Sequence, residues 1–226
     1  MNLHTIPPLY VDANLRWNAA RIPVQLRGHV IEDLALPFGA CDAARDFIES
    51  FPQRYLPENT PLAAYPEDRS LVGRGLTLTG HPHAGKTSLG CAVLTEIALG
   101  RADVTVLFVP FGDYMHSFNE RHTWRREARS ANYEENIAQL DGTLTRVMDS
   151  SLVLLDDIGR EHTTASGAAA DELYRVVRSR HRRGLVTILT TSLSPQALQE
   201  AYSAHMADFL LREFTTVMVS APGHRA

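Results

Sequence analysis

Residues 80–87 read Gly80-His81-Pro82-His83-Ala84-Gly85-Lys86-Thr87, the spacing G-x-x-x-x-G-K-T. Few stretches limit a fold so tightly. The pattern works only as a tight turn between a strand and a helix, where backbone N–H groups curl around a phosphate. The flanking sequence supplies both partners. Gly75–Thr79 alternates as a short strand, and Ser88–Leu99 reads as a helix that Gly100 ends. The glycines permit the curl, and the helix N-terminus adds partial positive charge. Gly80, His83, Ala84, Gly85 and Ser88 form the expected cradle. Lys86 reaches the β- and γ-phosphates, and the Thr87 hydroxyl binds Mg²⁺.

The rest of the chain offers few competing explanations. Hydrophobic residues make up 44% and charged residues 21% of 226, which suits an ordinary globular α/β chain. The net charge of −4 means that any nucleic-acid contact must come from a local patch. Cys41 and Cys91 provide no metal or disulfide framework and read as reduced thiols. No apolar run approaches a membrane span, and the start lacks the features of a signal peptide. A cytoplasmic protein without a membrane partner is expected.

Residues 1–26 form an arm broken by Pro7, Pro8 and Pro23, with two helical turns over Leu15–Arg21. It is either a strap across the domain or a docking arm anchored by Leu15 and Trp17. Residues 39–51 predict a helix with Ala44, Phe47, Ile48 and Phe51 inward, stopped by Pro52. Residues 53–74 read as a loop. Val104–Val109 predicts a second, buried strand. A polar helical region follows, with Phe111, Tyr114, Met115 and Phe118 on one face. Arg121, His122, Trp124, Arg125, Arg126 and Arg129 then cluster between positions 121 and 129. This is either a solvated basic face or a groove for a single strand, with arginine on phosphate and Trp124 stacking on bases.

Leu152–Leu155 is an apolar strand that ends in Asp156 and Asp157. In P-loop ATPases this is the Walker B element. Asp156 would hold Mg²⁺, and Asp157 would orient and deprotonate the attacking water. Neighbouring strand residues point to opposite faces, so the two acids are not expected to share a role. Glu161 is a second candidate base. A helix over 167–183 buries Leu173, Val176 and Val177 and carries Arg175, Arg178, Arg180, Arg182 and Arg183 with no acid among 175–183. Helix-dipole complementation needs fewer, so a subunit or DNA contact is expected there. Val186–Ser192 predicts a fourth strand with a hydroxyl tip, Ser194-Pro195 opens a helix, and Thr216–Ser220 predicts a fifth strand with Arg212 just ahead of it.

This order of strands and motifs resembles an AAA+ ATPase. The residues Ala20–Pro23 with Arg27, Gly80–Leu89, Leu154–Glu161, and Arg180-His181 ahead of Thr187–Leu193 narrow the resemblance to the DnaC/IstB helicase-loader group. It covers about residues 20–220. It implies a parallel five-stranded sheet in the order 5-1-4-3-2, flanked by helices and spanning residues 27–226 without a separate lid domain. It implies ATP, ADP and Mg²⁺ as ligands. It implies Ser192 as the sensor-1 residue, Arg212 as an arginine finger acting across a subunit boundary, and Arg225 as a sensor-2 arginine. Self-association with the ATP site at the subunit interface follows from the finger. The implied function is an ATP-controlled loader of a replicative ring helicase of the DnaB type that engages single-stranded DNA. An IstB-type transposition helper on duplex DNA, a P-loop nucleotide kinase and an ATP-binding module that hardly hydrolyses remain alternatives. The chain departs from the family in three ways. Ser192 stands where asparagine is common, Walker B ends Asp-Asp where Asp-Glu is frequent, and only a short stretch replaces the loaders' larger N-terminal helicase-binding domain, which would suit a phage-encoded form. The first two point to slow hydrolysis.

Overall fold

Five parallel strands form the centre of the molecule, in the order β2-β3-β4-β1-β5. The computed structural model describes residues 8–57, 60–61, 64–66, 68–126, 133–159 and 167–220. The strands are β1 (Gly75–Thr79), β2 (Val106–Pro110), β3 (Leu152–Ile158), β4 (Val186–Thr191) and β5 (Phe214–Met218). The helices are α1 (Pro8–Ala19), α2 (Phe38–Arg54), α3 (Lys86–Gly100), α4 (Phe111–Arg126), α5 (Tyr133–Asp149), α6 (Ala168–Arg182), α7 (Pro195–Tyr202) and α8 (Ala204–Glu213). The order read from the other edge is 5-1-4-3-2, as the resemblance implied.

Strand alternation builds a core on each face of the sheet. Leu76, Phe108, Leu154 and Ile188 face α1, α2 and α3, and Phe108–Leu154–Ile188–Leu76 run as one cross-strand row. Leu107, Val153, Leu155 and Leu189 face α4 to α8. Both faces are covered, which is why β2 and β3 read as continuous apolar runs.

The N-terminal arm joins the first of these cores. Trp17 is 7% exposed and packs there with Ala13, Ala20 and Ile22, whereas Leu15 is 63% exposed. The Phe108 N–H donates to the Ala20 carbonyl at 2.7 Å, so the chain after α1 covers the edge of β2. Helix α1 is longer than the two turns expected, because Pro8 occupies its first position, where the missing N–H costs nothing. Pro52 likewise sits inside the last turn of α2 and does not stop it; the helix closes with Tyr55 N–H on Phe51 O. Strand β2 starts at Val106 and ends in Pro110, which an edge strand tolerates. Strand β5 starts two residues earlier than expected, at Phe214.

Several arginines in and just after α6 find partners within the fold, and one of them is buried. Arg180 is fully buried and donates to the carbonyls of Val147, Ser150 and Val186 and to the Thr187 hydroxyl. Arg175 pairs with buried Glu172, which also accepts from the Tyr114 hydroxyl. Arg183 pairs with Asp149, and Arg178 lies over the Tyr174 ring. Arg180 is thereby removed from any contact surface, whereas Arg175, Arg178 and Arg182 stay exposed. Backbone carbonyls hold Arg180, whereas Arg175 finds its acid one helical turn earlier in sequence, at Glu172.

Candidate nucleotide site

The loop 80–85 leaves the C-terminal end of β1 and enters α3. Two of its glycines are obligatory. Gly80 has φ +149°, and a Cβ there would stand 2.0 Å from Val219 O. Gly85 has φ +91° and would meet Leu36 at 2.9 Å. His83 also adopts a positive φ, 63°, which a non-glycine residue takes up only at a cost. Gly85 is the N-cap of α3 and brings no side-chain oxygen to the first N–H groups of the helix. An uncapped helix start beneath a glycine-formed hollow fits a phosphate.

Lys86 is 6% exposed, and its ammonium lies within the loop, donating to Gly80 O at 2.9 Å and His81 O at 2.8 Å. These are contacts it can exchange for phosphate oxygens. Ala84 is buried, Thr87 and Ser88 are half-buried, and His81 and His83 are exposed.

The Thr87 hydroxyl donates to Asp156 Oδ1 at 2.8 Å. Thr190, on β4, donates to the same oxygen at 2.6 Å. The same Thr190 oxygen accepts the Asp157 N–H at 2.7 Å. Burial pushes the Asp156 carboxyl above the usual carboxylate range; the hydroxyls of Thr190 and Thr87 oppose the shift, Asp157 adds to it, and Lys86 opposes it. A half-buried carboxylate beside a hydroxyl, both next to the glycine loop, is an oxygen donor set that suits Mg²⁺. Among the described residues no cluster of three or more His, Cys, Asp or Glu forms a separate metal site.

Asp157 follows Asp156 with φ 61°. The simple alternation expected of these two acids does not hold, because the β3–β4 register shifts between Leu155 and Ile158. Ser192 lies half-buried just past the end of β4. Thr191 ties that tip to β3 by donating to Ile158 O at 2.9 Å. Sequence reasoning misses the role of Thr190. The hydroxyl-rich end of β4 is the available signal, and it points to Ser192, two positions further on.

Arg212 ends α8 on the side of the sheet away from the loop. Phe214 of β5 pairs with Gly75, the first residue of β1, whereas the loop leaves from Thr79. The Arg212 side chain is 70% exposed and pairs with Asp208, and Arg74 donates to its carbonyl. Arg121 of the first basic cluster pairs with Asp141. The side chains of Trp124, Arg125 and Arg126 lie outside the described residues, as do Arg129, Glu161 and Arg225.

No protein-family model matches the chain, and no curated protein matches it. Solved structures do share its fold. A DnaC helicase loader superposes with a TM-score of 0.62 at 18% identity, over 88% of this chain and 100% of that one. DnaI gives 0.59 at 20% identity, over 88% and 95%. A replication initiator, DnaA bound to AMPPCP and single-stranded DNA, gives 0.57 at 15% identity, over 84% and 49%. The fold is that of the DnaC-like AAA+ proteins, with the P-loop and the two acids at the C-terminal ends of its strands. No helix among the described residues is long and apolar enough to cross a membrane.

Proposed function

We propose that this chain is an ATP-binding and ATP-hydrolysing switch that loads a replicative ring helicase of the DnaB type and holds single-stranded DNA in its ATP state. The observation that carries the reading is the convergence of Thr87 and Thr190 on Asp156 beside the phosphate loop. Its support is a fold shared with the whole solved chain of a DnaC helicase loader and with a DnaA described with AMPPCP and single-stranded DNA.

In this reading the loop N–H groups and Lys86 bind the phosphates. Thr87 and Asp156 hold Mg²⁺, which when bound neutralises charge on the phosphate oxygens. Asp157 takes the proton from the attacking water at its carboxylate. Ser192 orients from the tip of β4, and Arg212 of a neighbouring copy faces the transferring phosphoryl group. A short sensor and an Asp-Asp pair keep hydrolysis slow, so the ATP state persists.

The test is co-precipitation with the cognate ring helicase, together with binding to single-stranded oligonucleotides, in ATP and in ADP. A helicase complex is expected, with DNA binding tighter in ATP, indifferent to sequence and weakened by salt as phosphate contacts release counterions. Arg125→Ala with Arg126→Ala should weaken DNA binding and leave ATP affinity intact. Lys86→Ala should lose most nucleotide affinity, and unchanged affinity would remove the P-loop assignment. A preference for duplex DNA would favour the transposition helper. No DNA binding in either state would leave a protein-directed assembly factor.

A further inference from the structure

The hydroxyl of Thr190 contacts both acids of the site at once. It lies 2.6 Å from Asp156 Oδ1 and 2.7 Å from the Asp157 backbone nitrogen. A threonine hydroxyl has one proton to give and lone pairs to accept with. The Asp157 N–H is itself a donor, so the Thr190 proton goes to Asp156 and the lone pair takes the Asp157 N–H. The direction of both bonds is therefore fixed.

The backbone explains why a side chain is needed here. Leu155 pairs with Leu189 and Ile158 pairs with Thr191, so three steps along β3 match two along β4. This is a β-bulge with one extra residue on β3, and bulges re-aim side chains next to functional sites. Within it Asp157 adopts φ 61°, a left-handed conformation that costs a non-glycine residue about 1–2 kcal/mol. Its N–H finds its partner in a side chain, Thr190. That side chain is rigidly placed: Thr190 is buried on β4, which lies between β1 and β3, and it pairs in register with Leu78 of β1.

We infer that Thr190 is a positioning residue for this site: one hydroxyl holds the Asp156 carboxylate in place for the metal and holds Asp157 in its left-handed conformation, which sets where the Asp157 carboxylate points. The metal half of the inference rests on the contacts of Asp156 together with the Mg²⁺-nucleotide part of the reading above. The hydrolytic half rests on the ATPase reading above.

The full-length chain and its Thr190→Val and Thr190→Ser variants are compared by three measurements: ADP affinity in EDTA, ADP affinity in Mg²⁺, and ATP turnover. Valine keeps the shape and loses both bonds. Serine keeps the hydroxyl and loses the methyl. Thr190→Val is expected to leave the EDTA affinity unchanged. The gain in affinity that Mg²⁺ brings, and the turnover, should each fall by about 10–100-fold, the usual effect of removing a group that orients a metal ligand. Thr190→Ser should restore most of both. A Thr190→Val protein with the wild-type Mg²⁺ gain would overturn the inference. So would a parallel loss of affinity in EDTA and Mg²⁺ that serine does not repair, since that pattern marks packing alone. If the wild-type chain binds ADP and does not hydrolyse ATP, the ATPase reading fails by itself, and the Mg²⁺ comparison still decides the role of Thr190.

Discussion

Thr87 and Asp156 stand 69 residues apart in sequence and are joined by a hydrogen bond of 2.8 Å. One opens α3 and the other lies near the end of β3, with the tip of β4 between their strands. The contact therefore reports that β1, β4 and β3 are in register. The fold itself brings the carboxylate and the hydroxyl together, so the protein bears the cost of burying the charge in advance.

That cost is measurable. Burial raises the Asp156 pKa, so the folded state prefers the neutral acid. Stability from that preference is fully present below the unfolded value of 3.8 and is lost as pH rises through the raised folded value. Once Asp156 is ionised, the nucleotide-free protein holds a carboxylate it would be more stable without. Asp156→Asn can still accept both threonine bonds at its amide oxygen. It should raise the melting temperature of the nucleotide-free protein, by about 2–4 °C for each kcal/mol relieved. It should also abolish the added stabilisation from Mg²⁺ with ADP. For the wild type, that Mg²⁺ effect should fade on acidification at a pH above the ordinary carboxylate range. Thermal melts with and without Mg²⁺–ADP check both points, and a lower melting temperature for the nucleotide-free Asp156→Asn variant would refute the first.

Arg180 carries a different prediction. Among the described residues its guanidinium has no carboxylate as a hydrogen-bond partner; three carbonyls and a hydroxyl hold it. Burial, with Arg183 nearby, pushes its pKa down to about 9, so it is still charged at neutral pH. Removing it orphans buried carbonyls on α5 and β4, at about 1–3 kcal/mol each. Arg180→Met and Arg180→Lys should both lose about 3 kcal/mol or more in urea unfolding, because neither reproduces the planar fork. Arg178→Ala, which removes an exposed guanidinium from the Tyr174 ring, should cost less than about 1 kcal/mol. Equal, small losses at both positions would return Arg180 to the surface role its sequence neighbours suggest.

These residues show what a sequence can and cannot reveal. The glycine loop is legible because its backbone dictates residue types: Gly80 and Gly85 both adopt positive φ, and a Cβ at Gly80 would strike the Val219 carbonyl. The apolar run ahead of Asp156 is legible because a strand covered on both faces has to be apolar. Thr190 is not legible, because its role depends on a bulge that shifts Asp157 out of plain alternation. Arg180 misleads for a related reason. Its partners are mainly main-chain carbonyls, which leave no trace in residue identity. Trp17 could serve a partner or the core, and only packing against Ala20 and Ile22 decides for the core.

Arg212 yields the last prediction, and it concerns assembly. Parallel pairing places Phe214 beside Gly75 and Met218 beside Thr79. Arg212 precedes β5, so it lies at the strand-start edge, whereas the phosphate loop leaves from the strand-end edge. A strand of five residues separates these edges by about 16 Å. An extended arginine cannot span that distance and also round the sheet. If Arg212 contributes to hydrolysis, it must therefore act on the nucleotide of another copy. Its exposed pairing with Asp208 would be a minor obstacle, since such pairs are worth about 0–1 kcal/mol. An arginine finger can raise phosphoryl-transfer rates by about 10³–10⁵-fold. Arg212→Ala should then bind ATP normally and turn over poorly, as should Asp157→Asn. Mixing the two inactive variants should recover part of the wild-type rate, because some mixed interfaces pair an intact Arg212 with an intact Asp157. The recovery should follow a bell-shaped dependence on mixing ratio, with its maximum near equal amounts. Absence of recovery at every ratio, with mixed assemblies verified by mass, would exclude a role for Arg212 across the boundary.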